Sequence, residues 1–172
     1  MYWVIVILSF ILLLNLIGLL YSRKIRIWSK KEIDCSASEA FPLIADFHEF
    51  VEWSPWSNKD PKMSQKFSDN QSEIGSFYSW KGNRQVGMGK MTLTELNPFS
   101  TIKMDVAFGR NPLSKVTFEI VEENGKATIT WSMEMDLGPI PVSRLLSGII
   151  SKAILKDFNQ GLINLKTQIE SK

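Results

Sequence analysis

The chain of 172 residues carries 20 Lys and Arg against 18 Asp and Glu, with one cysteine and one histidine. A lone Cys35 excludes an intramolecular disulfide and a cysteine-rich zinc site, and a lone His48 excludes two-histidine metal ligation. The net charge of +2 is unevenly spread: residues 1–22 hold no charged side chain, whereas 23–31 hold Arg23, Lys24, Arg26, Lys30 and Lys31 and no acid. Removing those five leaves 15 basic against 18 acidic residues, or −3, over 32–172, which argues against a nucleic-acid-binding surface.

From the N-terminus, Tyr2 to Tyr21 reads as one apolar run, YWVIVILSFILLLNLIGLLY. Twenty helical residues at 1.5 Å each reach about 30 Å, the thickness of the hydrocarbon core. Tyr2, Trp3 and Tyr21 stand at the ends, where amphipathic rings favour the headgroup level. No Lys or Arg precedes the run and no A-x-A-like cleavage site follows it, so an uncleaved anchor over 1–22 is expected rather than a signal peptide. The basic juxtamembrane segment 23–31 then places the following domain in the cytoplasm by the positive-inside rule. Asn15 is the one strongly polar residue inside, either tolerated in a single span or bonded to a second helix.

Residues 25–33 alternate apolar and charged side chains and predict a first strand. Ser36-Ala-Ser38-Glu39 predicts a helix start with Ser38 as N-cap, followed by an amphipathic helix through Phe47 and a second short helix over 47–53. Trp53-Ser-Pro-Trp56 breaks it. Strands are predicted over 63–67, 75–80, 86–96, 101–108, 115–122 and 127–136, separated by turn signals of which Asn124-Gly125 is the clearest hairpin. Ala127, Ile129, Trp131, Met133 and Met135 alternate with polar residues, and Val116, Phe118, Ile120, Ile102, Met104, Val106 and Phe108 extend the same apolar face. From Pro141 to about residue 170 a wide apolar stripe at helical period predicts one long helix. Gly161 inside it is either a neutral defect or a place of close approach. This order gives an α+β domain over 25–172, a curved antiparallel sheet wrapped around a long C-terminal α-helix and preceded by one transmembrane helix.

The segments Ser36-Ala-Ser-Glu-Ala-Phe41, Trp53-Ser-Pro-Trp56, Tyr78-Ser-Trp80 with Gly82-Asn83, Val86-Gly-Met-Gly-Lys-Met91 and Lys156-Asp-Phe-Asn-Gln-Gly-Leu162, in this order, resemble the START-like or SRPBCC superfamily, in its polyketide cyclase/dehydrase and lipid-transport branch. The resemblance covers the chain from about 25 to 170. It implies a helix-grip fold with an apolar pocket between sheet and long helix, and a role in binding lipids, sterols, polyketides or other apolar molecules. A minority of such proteins are enzymes.

Trp53, Trp56, Trp80 and Trp131 are candidates for the pocket lining, since small-molecule sites are apolar and aromatic with a few polar handles. Met88, Met91, Met104, Met133 and Met135 form a methionine-rich strand set whose flexible thioethers suit an adaptable wall, and Met88, Met104 and Met133, with Phe118, complete the candidate lining. For each the alternative is ordinary core packing. His48 with Glu49 or Asp46 reads as a surface histidine rather than an acid/base pair. Arg84 and Arg110 stand in turns, either solvated or facing an anionic headgroup at a pocket mouth. No G-x-S-x-G, P-loop, dinucleotide fingerprint or H-E-x-x-H is present, so no catalytic residue, metal or cofactor is assigned. The expected function is a single-pass membrane-anchored binder, carrier or sensor of a lipid or other apolar small molecule, its partners being the bilayer and that ligand. A polyketide cyclase/dehydrase-like enzyme, or an interaction module whose cavity is filled by its own side chains, is the alternative.

Overall fold

A computed structural model describes residues 2–109 and 112–171. Helix α1 (Tyr2–Gly18) precedes strand β1 (Lys24–Ile33), the short helices α2 (Ala37–Ala45), α3 (Phe47–Trp53) and α4 (Pro55–Lys59), and six further strands. These are β2 (Ser64–Phe67), β3 (Phe77–Lys81), β4 (Met88–Asn97), β5 (Thr101–Phe108), β6 (Ser114–Glu123) and β7 (Lys126–Asp136). A 3-10 turn (Pro141–Leu146) then leads into helix α5 (Ser147–Glu170). The seven strands form one antiparallel sheet in the order β1-β7-β6-β5-β4-β3-β2, with the last helix laid beside β1.

The alternation of apolar and polar residues sets the register. Phe118 lies opposite Trp131, Val116 opposite Met133 and Ile120 opposite Ile129, all turned inward. A bulge between Leu93 and Glu95 supplies the odd residue that lets both Leu93 and Leu96 face the core, opposite Met104 and Ile102. The core is completed from above by Leu43, Ile44, Phe47 and Phe50 of α2 and α3 and by Phe158, Leu162 and Leu165 of α5.

Three local expectations are corrected. The N-cap of α2 is Ser36, not Ser38: its Oγ accepts from the Glu39 N–H at 3.2 Å while the Glu39 carboxylate accepts from the Ser36 N–H at 2.8 Å. Pro55 does not merely break α3 but occupies the first turn of α4, where its missing N–H costs nothing. The long helix begins six residues late, because Pro141–Leu146 winds as 3-10 before α5 starts at Ser147.

The N-terminal segment is also shorter than expected. Helix α1 has 17 residues, about 25 Å at 1.5 Å each, and stops where Gly18 packs on Pro141 and the chain turns into β1. Among the described residues no helix is long and apolar enough to cross a membrane. Asn15 needs no second helix: its side-chain amide donates to the Ile11 carbonyl at 2.9 Å.

Candidate functional site

The inward face of the sheet is filled on one half and open on the other. Toward the β6–β7 hairpin, Ile120, Ala127 and Ile129 are closed over by α2 and α3. Toward the other end, Val106, Ser114, Val116, Met133 and Met135 border a cavity of about 690 Å³, a volume in the range of small-molecule sites. Side chains of the described residues therefore leave part of the space between sheet and helix open. Phe50, Ser54 and Trp56 close it on one side, Tyr78, Trp80 and Met91 on another, and Ile150, Ile154 and Phe158 of α5 form the roof.

Of the eight residues singled out from sequence, Trp56, Trp80, Trp131 and Met133 line this cavity. Trp53, Met104 and Phe118 are buried in the core and do not. Trp53 is committed elsewhere: its indole N–H donates to the Leu43 carbonyl at 2.8 Å, and its own carbonyl accepts from the Asn164 amide at 3.0 Å. Met88 is 55 % exposed. Strand parity explains this, since Met91 and Leu93 point inward on β4 and Met88 is out of phase with both.

Two glycines make the aromatic wall possible. A Cβ on Gly89 would collide with Trp80 Cζ2, so the indole crosses strand β4 over a bare backbone position, and its N–H reaches the Val86 carbonyl at 3.3 Å. Gly161 of α5 does the same for Trp131. The close approach at Gly161 is thus one of side chains, not of another backbone.

Trp131 forms the floor. Its ring stacks on Phe158 at 4.1 Å and on Phe118 at 4.9 Å, and meets Trp53 and Trp56 edge-on at 5.6 and 5.8 Å. Its indole N–H is buried with no hydrogen-bond partner among the described residues. Tyr78, stacked on Trp80, accepts from Gln65 at 3.3 Å, and burial pushes its phenol up to about 12. It is a neutral donor at physiological pH, not a base. The carboxylates of the wall are neutralised by cations. Asp157 pairs with Lys59 at 2.6 Å. Asp136 accepts from Arg23 at 2.7 Å and from the Gly138 N–H at 2.8 Å, and these bonds hold its carboxyl below the ordinary range. The cavity is a mainly apolar vessel with scattered hydroxyls and amides at its edge.

Met91 and Met135 of the methionine set also line the cavity, and the lining residues missed from sequence include Phe108, Ile150, Ile154 and the loop 137–140. Parity would have chosen Met91 over Met88. The rest depends on which half of the sheet the helices cover, which no local pattern encodes. His48 is exposed, as the surface reading expects: Asp46 caps α3 by accepting from the His48 N–H at 2.8 Å, His48 stacks on Phe67, and Glu49 accepts from Gln168. Arg84 is exposed in the β3–β4 loop, and Arg110 lies outside the described residues.

Comparison with known proteins agrees with this architecture. The family model described as polyketide cyclase / dehydrase and lipid transport matches residues 24–170. Among solved structures, the protein TTHA0849 from Thermus thermophilus superposes with a TM-score of 0.64 at 10% identity, over 86% of this chain and 98% of that one. The protein CV1439 from Chromobacterium violaceum gives 0.63 at 14% identity, over 85% and 98%. Ara h 8.0201 gives 0.62 at 9% identity, over 87% and 99%. At these identities the likeness is one of fold. No curated protein matches the chain in sequence.

Proposed function

Since the chain belongs to the polyketide cyclase / dehydrase and lipid transport family, we propose that its cavity binds a lipid or comparable apolar small molecule, for carriage, sensing or sequestration. The observation that carries this reading is the open space of about 690 Å³ walled by Trp56, Trp80, Trp131, Met91, Met133 and Phe108. Empty apolar space of that size forfeits dispersion contacts along its whole lining. A hydrocarbon guest restores them. The neutral Tyr78 hydroxyl, the paired carboxylates and the thioether-rich wall favour an uncharged, adaptable fit over acid–base chemistry.

The N-terminal helix belongs to the same proposal. Residues 2–13 of α1 are exposed and almost entirely apolar, a surface that water disfavours and lipid does not. Burial of α1 in a bilayer anchors the chain. At about 25 Å the helix need not cross the bilayer to be buried in it, and the exposed Lys24 just beyond it suits the headgroup level. The basic cluster 23–31 favours the cytoplasmic side for the domain.

Native mass spectrometry of the chain released gently from membranes tests the binding reading. A co-purifying apolar mass, displaced by a fluorescent fatty alcohol, is the expected result. Only the bare chain mass, with no uptake of that probe by folded protein, would overturn it.

A further inference from the structure

The exposed part of the cavity wall lies where α1 ends. Ile140 and Leu146 line the cavity and are 60 % and 52 % exposed, and Ile149, the next apolar residue along, is 69 % exposed. Large aliphatic side chains in one short stretch, left in water at the rim of an apolar cavity, make a surface built to be covered. The 3-10 turn that carries this rim is also the principal packing partner of α1. Contact there is at backbone distance. Gly18 is buried, and a Cβ on it would collide with the Pro141 carbonyl oxygen and lie 3.0 Å from the Val142 nitrogen.

The junction is held from both strands. The Leu137 N–H donates to the Arg23 carbonyl at 2.9 Å, and Arg23 pairs with Asp136. Ser143 Oγ lies 2.8 and 2.6 Å from the carbonyls of Leu137 and Ile140, bracing the loop that joins β7 to the turn. The end of α1 therefore packs directly on the turn that leads into the rim, a few residues before the bonded Arg23–Asp136 junction.

We propose that the cavity opens onto the bilayer leaflet, with Ile140, Leu146 and Ile149 immersed at the headgroup–acyl boundary, so that the ligand is a lipid of that leaflet and passes between bilayer and cavity without crossing water. The occupant of the exposed rim is the leaflet itself. Continuity argues for it: the rim packs where an apolar helix ends, and the exposed Lys24 follows that helix closely enough in the chain to meet anionic headgroups. This inference rests on the anchoring role of α1 given above, and it adds the site of entry and the source of the ligand.

The test uses the full chain in vesicles of phosphatidylcholine and phosphatidylglycerol containing a nitroxide-labelled lipid. Single cysteines replace Ile140, Leu146 or Ile149 in a Cys35→Ser background and carry an environment-sensitive fluorophore. Val121, exposed at the hairpin end of β6 opposite Thr128, serves as the comparison site. Labels at the three rim positions should be blue-shifted and quenched, and the label at Val121 should not. Unquenched rim labels on chains that do attach to vesicles would overturn the immersed rim while leaving anchoring intact. Failure of the chains to attach would overturn anchoring and the inference together.

A second variant separates entry from binding. Gly18→Val forces α1 and the turn apart, so vesicle attachment and binding of a fluorescent fatty alcohol in detergent should persist while pick-up of a fluorescent phospholipid from vesicles slows several-fold. Unchanged pick-up would count against the coupling. Loss of alcohol binding in the unaltered chain would instead remove the proposed function, whatever the quenching shows.

Discussion

Gly161 is the place where the Trp131 ring enters the surface of α5: a methyl group there would meet Trp131 Cζ3 at 2.7 Å. Alanine favours helix over glycine by about 1 kcal/mol, so an isolated helix would gain from Gly161→Ala. In this protein the sign reverses, because the added methyl would also meet Pro55 and Trp53 at 3.2 and 3.4 Å and the Trp131 ring is held by its stacks on Phe158 and Phe118. Overpacking of this kind costs about 1–3 kcal/mol. A lowered urea midpoint for Gly161→Ala is the expected outcome, and a raised midpoint would show that the ring moves freely.

Trp131 itself is both packed and lining. With 1 % of its surface exposed and rings on several sides, Trp131→Ala should cost about 3–5 kcal/mol, the full value for a packed aromatic. The open cavity beside it gives little relief, because the ring is stacked at 4.1 Å on Phe158. Probe binding should change in the same variant. Trp131→Phe keeps an aromatic ring and discards an indole N–H that has no partner among the described residues, so its stability loss should be clearly smaller. Denaturation midpoints for the pair, read beside probe affinity, check both statements.

The capping box gives a further contrast. Ser36→Ala removes the acceptor for the Glu39 N–H and should cost about 1 kcal/mol. Ser38→Ala, which leaves the box intact, should change little. The bonds from Ser36 also hold the Glu39 carboxyl below its ordinary range. The stabilisation is present at neutral pH and lost as pH falls through that lowered value. A thermal scan series in acid should show the two variants converging.

Arg23 and Asp136 join the beginning of β1 to the end of β7. The Asp136 carboxyl is depressed chiefly by the Arg23 hydrogen bond, so its contribution is full at neutral pH and disappears only as acid protonates it below the usual aspartate range. In Arg23→Gln the NMR-monitored titration of Asp136 should move upward. An unchanged titration would mean that the Gly138 N–H alone sets it.

Most of the sheet is legible in the sequence because alternation is a local signal. Thr101–Phe108 and the Phe47–Trp53 helix agree with their patterns to the residue, and the inward set of β7 follows from parity. The site is legible only in part. Trp56, Trp80, Trp131 and Met133 stand at the cavity, whereas Met104 and Phe118 share their face but are buried in the core, Phe118 against Phe50 and Trp53 of α3. Pattern tells which way a side chain points and not what stands above it. Met88 fails for a simpler reason: its residue type suits the wall and its phase on β4 does not. The end of α1 is out of reach, since hydropathy continues through Leu20 and only the tertiary contact of Gly18 with Pro141 marks where the helix packs and stops.

The pairing of β1 with β7 has a consequence for the order of events during synthesis. Lys24 faces Asp136 and Ile33 faces Ala127, partners more than ninety residues apart in each case. At roughly 5–20 residues per second on the ribosome, β1 waits about 5–20 s for the strand that completes it, with α1 already out ahead of it. Every other neighbouring pair in the sheet is consecutive in the chain and can zip as it emerges. Closure of the first strand onto the last is thus the late step, burdened by the entropy of joining distant segments. A chain halted before residue 126 leaves β1 with its edge unpaired, open to pairing with a neighbouring chain in the same state.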